Sequence, residues 1–88
     1  MNDSKIFQVI PGVGKSLSQD LLDLGFTGLD QFATADPEQM YHNLASLRGE
    51  KMDPCVLYVF RCAVYFASHD EHDSELLKWW NWKDRKNN

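Results

Sequence analysis

The sequence predicts an all-α protein, a compact bundle of five or six short helices in one domain. Asp36–Pro37 and Asp53–Pro54 each set a capping carboxylate before a proline at the first helical position. Apolar residues return at helical steps through Met40, Tyr41, Leu44 and Leu47. The apolar run Cys55 to Ala67, broken only by Arg61, is too long for an ordinary strand and fits a buried helix of about four turns.

The elements follow in order. Ser4–Val9 forms a first short helix with Asp3 or Ser4 as cap, and Lys15–Leu24 a second, stopped by Gly25, with Leu17, Leu21 and Leu24 as its buried stripe. Thr27, with Asp30 three residues on, opens a short helix that bears Leu29 and Phe32 and closes near Ala33. The helix from Pro37 stops at Gly49; one glycine beside Glu50 reads as a C-cap and not as a second glycine hairpin. Val, Tyr and Phe in 55–67 favour a strand by propensity, and length decides for helix. Ser74 caps a last short helix with Leu76, Leu77, Trp79 and Trp80. One or two of the three tryptophans anchor it to the core. Residues 1–83 make a single domain, and 84–88 a polar, disordered tail.

A chain of 88 residues buries roughly 60 to 65% of its extended surface on folding, enough for a modest core but not for a deep enzyme pocket. The start of the chain carries no basic region followed by an apolar run, and the longest apolar stretch is too short to span a bilayer, which predicts a cytoplasmic protein with no membrane contact. Cys55 and Cys62, seven residues apart on one helix, lie about 10 Å from each other along its axis, too far for a disulfide; reduced, buried thiols are expected.

Charge restricts the partner. The formal net charge is −4, and residues 1–47 hold Lys5 and Lys15 against six carboxylates. Residues 78–88 reverse the sign, with Lys78, Lys83, Arg85 and Lys86 against Asp84. Strong duplex binders neutralise roughly six to ten phosphates, so any nucleic-acid contact here is weak.

Ile10–Pro11–Gly12–Val13–Gly14–Lys15–Ser16–Leu17–Ser18 carries the main functional signal. Pro11 fixes its own φ, Gly12 and Gly14 leave the backbone bare, and the next helix opens beside them with unpaired amides, its positive dipole end and the Lys15 ammonium. The expected occupant is an anion. Leu17 stands where a dinucleotide fingerprint needs its third glycine, and Val9 where a P-loop needs its first, so neither motif is present. The bland alternative, a connector that only turns the chain, has equal standing at this point.

With Phe7, Ile10 and Val13 before it and Ser18, Leu21 and Leu22 after it, this stretch resembles the helix-hairpin-helix motif. The resemblance implies that the amides of Gly12, Val13, Gly14, Lys15, Ser16 and Leu17 grip one DNA backbone phosphate without reading bases. It further implies a monovalent cation, held by the carbonyls of Gln8, Ile10 and Val13 when nucleic acid is bound, and no other cofactor. Over its full length the chain resembles the pathogenicity-locus family of small bacterial helix-hairpin-helix proteins, on the hairpin, on Asp53 to Phe66 and on Leu77–Lys78–Trp79–Trp80–Asn81–Trp82. That family carries no settled biochemical activity, so the likeness names a fold better than a task.

Other clusters read more simply. His69, Asp70, His72 and Asp73 gather at a helix end, where such residues cap or stay solvated, and no metal site is expected. Cys55, Cys62 and His69 recur at seven-residue steps, a core stripe and not a catalytic pair. Trp79, Trp80 and Trp82 interleave with Lys78, Lys83, Arg85 and Lys86, an arrangement in which indoles stack on unpaired bases beside cations, and Lys78, Trp79, Trp82 and Lys83 are its secondary candidate contacts.

These readings combine into a non-enzymatic module that makes sequence-independent, low-affinity contact with a nucleic-acid backbone. The alternative is a protein-interaction or dimerisation module. It would use the apolar helix 55–67, through Tyr58, Tyr65 or Phe66, or the tryptophan-rich C-terminus.

Overall fold

Three α-helices and four short 3-10 segments, with no strand among the described residues, make up the computed structural model, which describes residues 3–83 and the side chains of 6–83. In order these are η1 (Asp3–Val9), α1 (Lys15–Asp23), η2 (Leu29–Thr34), α2 (Pro37–Arg48), α3 (Pro54–Ser68), η3 (Ser74–Leu77) and η4 (Trp79–Trp82), where η marks a 3-10 segment. The expected count of five or six differs because the terminal helix is divided at Lys78. The radius of gyration, 12.0 Å, matches the value of about 12 Å for a compact chain of this length. The expected tail at 84–88, and the side chains of the first expected caps, Asp3 and Ser4, lie outside the described residues.

Spacing explains why the first segment is 3-10. Phe7, Ile10 and Val13 are buried and recur every third residue, so a turn of three residues keeps all three on the core side. The main chain follows that period, with Ile10 N donating to Phe7 O and Val13 N to Ile10 O, both at 3.1 Å.

The caps of the long helices form as their sequence signals require. Asp36 Oδ1 accepts from Glu38 N at 3.0 Å, and Asp53 Oδ1 accepts from Cys55 N at 2.9 Å, each with proline as the first helical residue. Helix α1 ends with Phe26 N donating to Leu21 O and Gly25 N to Leu22 O, a Schellman arrangement that needs the positive φ of Gly25. Gly49 ends α2 in the same left-handed region.

Two caps are corrected. At η2 it is Gln31, not Asp30, that reaches back, its side-chain oxygen accepting from Thr27 N at 2.6 Å and Gly28 N at 3.0 Å; the amide side chain is one methylene longer and spans the turn. At η3 the cap is Asp73, not Ser74, with Oδ1 accepting from Glu75 N at 2.9 Å.

Helix α3 is the axis of the fold, with α2, η2, η3 and η4 packed around it. Phe60, Cys62 and Ala63 are fully buried there. Phe60 joins Phe7, Ile10, Leu21, Phe32 and Leu44 in the main core, so truncating it to alanine would cost about 3–5 kcal/mol. Cys62, Tyr65 and Trp82 form a smaller cluster, and Trp79 packs against both.

The centre of the apolar helix, Val59 to Tyr65, is therefore covered from within the chain, and Tyr58 and Phe66 are half-buried. Tyr65, expected as a candidate contact between molecules, is buried against Trp82, and its hydroxyl accepts from Asp73 N at 2.8 Å. The cysteine stripe is corrected too: Cys62 is buried and its thiol faces the carbonyls of Leu76 and Leu77, but Cys55, in the first turn of α3, is exposed.

The guanidinium of Arg61, almost wholly inside, ties three segments together. Nη1 donates to Trp82 O at 2.8 Å and to Lys83 O at 3.4 Å, and Nη2 donates to Glu38 Oε1 at 3.1 Å. The lone charged break in the apolar run is thus the anchor of the C-terminal segment, not an interruption of the helix.

Candidate functional site

Residues 10–18 bring the expected site residues together at one end of the fold. Gly12 has φ +87°, a conformation glycine adopts without strain, and Gly14 is the N-cap residue of α1 in extended geometry. Gly12, Gly14, Lys15 and Ser16 are exposed, Leu17 is half-buried, and Val13 is buried as part of the core. Val13 therefore offers its backbone at most.

The start of α1 is electrostatically open. No side chain caps it and no acidic residue stands in its first turn, in contrast to the aspartate caps of α2 and α3. Its first intrahelical bond runs from Ser18 N to Gly14 O at 3.0 Å, so the amides of Lys15, Ser16 and Leu17 precede the helical ladder and point out of its end. Such amides, the helix dipole and the Lys15 ammonium together suit an anion. The acidic residues farther along α1 face elsewhere: Asp20 and Asp23 both pair with Arg48 of α2, the Asp23 contact at 2.7 Å. The hydrogen bond from Arg48 holds the Asp23 carboxyl below the usual carboxylate range. Of the carbonyls that the resemblance assigned to a cation, that of Ile10 accepts from Val13 N.

The back of the turn is closed by Trp79. A Cβ built on Gly12 would stand 2.5 Å from Trp79 Cδ1 and 2.8 Å from Cγ, whereas one built on Gly14 would meet nothing within 4 Å. The bareness of Gly12 accommodates an indole, and that of Gly14 faces open space.

In the secondary candidate, Trp82 is buried and its Nε1 donates to Leu76 O at 2.8 Å, and Trp79 is half-buried. Trp82 therefore has no free face to offer, and Trp79 is partly covered. Lys78 pairs with Glu75 at 2.8 Å, and Lys83 is exposed. The exposed indole is that of Trp80, which the sequence groups with the other two tryptophans without singling it out. The signal was present: Trp79 and Trp82 are three apart, one 3-10 turn, so they share the inner face and leave Trp80 outside.

At the other end of α3 the histidines are occupied. His72 Nε2 lies 2.8 Å from Phe66 O, with its ring stacked on Phe66, and His69 Nδ1 lies 3.1 Å from Tyr65 O. Both rings meet carbonyls of the last turn of α3. Among the described residues no group of three or more His, Cys, Asp or Glu side chains could hold a metal ion, and no helix is long and apolar enough to cross a membrane.

Fold and site define a small all-helical protein with an uncapped helix start behind a glycine turn. The whole chain, residues 1–88, matches the Cdd1 pathogenicity-locus family, and the protein belongs to that family. It is also similar to the mitomycin resistance protein McrB of Streptomyces lavendulae, with 27% identity over 63 residues, 72% of this chain and 60% of that protein. The chain thus spans less than two thirds of that relative's length. No solved structure matches it significantly.

Proposed function

We propose that the protein makes a sequence-independent, low-affinity contact with the phosphate backbone of nucleic acid, DNA foremost, through Gly12–Leu17, in the manner of a helix-hairpin-helix unit. The observation that carries this reading is the uncapped start of α1, with its open amides beside an exposed Lys15 and no carboxylate in the first turn. The module performs no chemistry of its own and needs no resident cofactor. Affinity is low because Lys15 is the one lysine or arginine between residues 6 and 47.

Titrating the protein with a short duplex and a short single strand, while following its backbone amide signals, tests the proposal. Shifts at Gly12–Leu17 that fade as salt rises support it, and Lys15→Glu removes them at little cost in stability. Signals there that stay fixed even in dilute buffer would sink it.

The second reading is a protein-interaction or dimerisation module. Val9 and Leu47 favour it as large apolar side chains left exposed. It requires shifts at those residues as protein concentration rises, with no nucleic acid present. The relative's name speaks of resistance and not of a molecular activity, so it does not choose between the two.

A further inference from the structure

Trp80 stands apart from every other large side chain of the C-terminal segment. The residue is 56% exposed, and its ring stands edge-on to that of Trp79, 5.7 Å away at an interplanar angle of 85°. Trp79 in turn lies against Gly12. Trp79 thus touches both Trp80 and the glycine turn. Exposed Lys83 follows it in sequence, and residues 78–88 carry four basic side chains against Asp84.

An exposed indole packed edge-on against a second ring, in a segment whose sequence is basic, fits a flat partner attached to a phosphate. In a duplex the bases are already stacked on each other, whereas an unpaired base offers its π-face to an aromatic side chain. We infer that Trp80 is a stacking platform for an unpaired base whose neighbouring phosphate occupies Gly12–Leu17, so that the favoured ligand is a single strand. This rests on the backbone contact proposed above. Stacking tolerates any base, since each has a π-face, and it selects the form of the nucleic acid without reading its sequence.

The test uses the full chain, a short oligothymidylate and a duplex of equal length. The readouts are the amides of Gly12–Leu17, the indole Nε1–H of Trp80 and the two affinities. The single strand binds more tightly than the duplex. Trp80→Ala lowers single-strand affinity about 5- to 150-fold, the effect of one lost stack, and leaves duplex affinity unchanged. Trp80→Phe, which keeps a smaller ring, falls between. Far-UV circular dichroism and the buried Trp82 indole signal confirm that each variant is folded.

Equal affinity for both ligands, or no effect of Trp80→Ala while the Gly12–Leu17 amides still move, overturns the stacking role and leaves the backbone contact standing. Amides that move with neither ligand overturn the backbone contact and the stacking role together. A Trp80 signal that responds to protein concentration alone makes the indole a contact between two copies, and the inference fails.

Discussion

The indole of Trp79 covers the α-carbon of Gly12, filling the space that a side chain at residue 12 would need. This contact joins the glycine turn to the C-terminal segment, two regions 67 residues apart, and makes the turn depend on chain far from it. Gly12→Ala meets two costs there, a left-handed backbone at φ +87° and a clash with Trp79 Cδ1. Their sum is about 2–5 kcal/mol of stability, measured by urea unfolding. Trp79→Ala in the same chain should relieve the clash and leave the backbone cost, so the double variant loses less than the two single changes added. Strict additivity would show that the ring does not press on residue 12.

That contact also marks the limit of what the sequence carries. Asp36–Pro37, Asp53–Pro54, Gly25 and Gly49 are legible because a cap depends on residues within one turn of it. The helical character of 55–67 is legible from its length. The partners of Arg61, the Trp82 carbonyl and Glu38, depend on which segments meet across the core, and no local period encodes that. Gly12 shows the difficulty most clearly: a bare glycine needed for an indole and one needed for a ligand look alike in sequence, and the position of Trp79 separates Gly12 from Gly14.

Arg61 sets a second expectation. Its guanidinium is buried and bonded to the Trp82 and Lys83 carbonyls and to Glu38. Arg61→Ala removes these bonds at once and leaves the Trp82 carbonyl without this donor inside the fold, a loss of about 2–4 kcal/mol. Lysine at the same position keeps the charge but cannot span all three oxygens, so Arg61→Lys recovers only part. Hydrogen exchange should report the loss first at residues 79–82, before the centre of α3 opens.

The two thiols should differ in reactivity. Cys55 is exposed, and Cys62 is buried with its pKa pushed up by burial to about 11. The hydrogen bond with Asp53 raises the Cys55 pKa as well, so exposure is what separates the two: a thiol reagent at neutral pH labels Cys55 faster, and reaches Cys62 only when the segment covering it opens. Because the folded pKa of Cys62 is raised, its contribution to stability is complete below the ordinary thiol value of about 8.5 and is lost as pH rises toward about 11. Cys62→Ala should flatten that alkaline decline. Labelling of both thiols at one rate would contradict the burial.

Gly14 offers the sharpest division between stability and binding. Its φ of −97° and ψ of −167° suit a capping residue, and a Cβ there meets nothing within 4 Å. Gly14→Asp supplies the missing cap, bonds an amide of the first turn and puts a negative charge at the positive end of α1. Stability should rise by about 0.5–1.5 kcal/mol, read as a higher thermal midpoint. The same carboxylate occupies the proposed phosphate seat and repels its ligand, so nucleic-acid affinity should fall below detection. Gly14→Ser, which caps without charge, should stabilise less and weaken binding less. A chain carrying Gly14→Asp that is more stable and still binds oligonucleotides as the parent does would place the contact somewhere other than the start of α1.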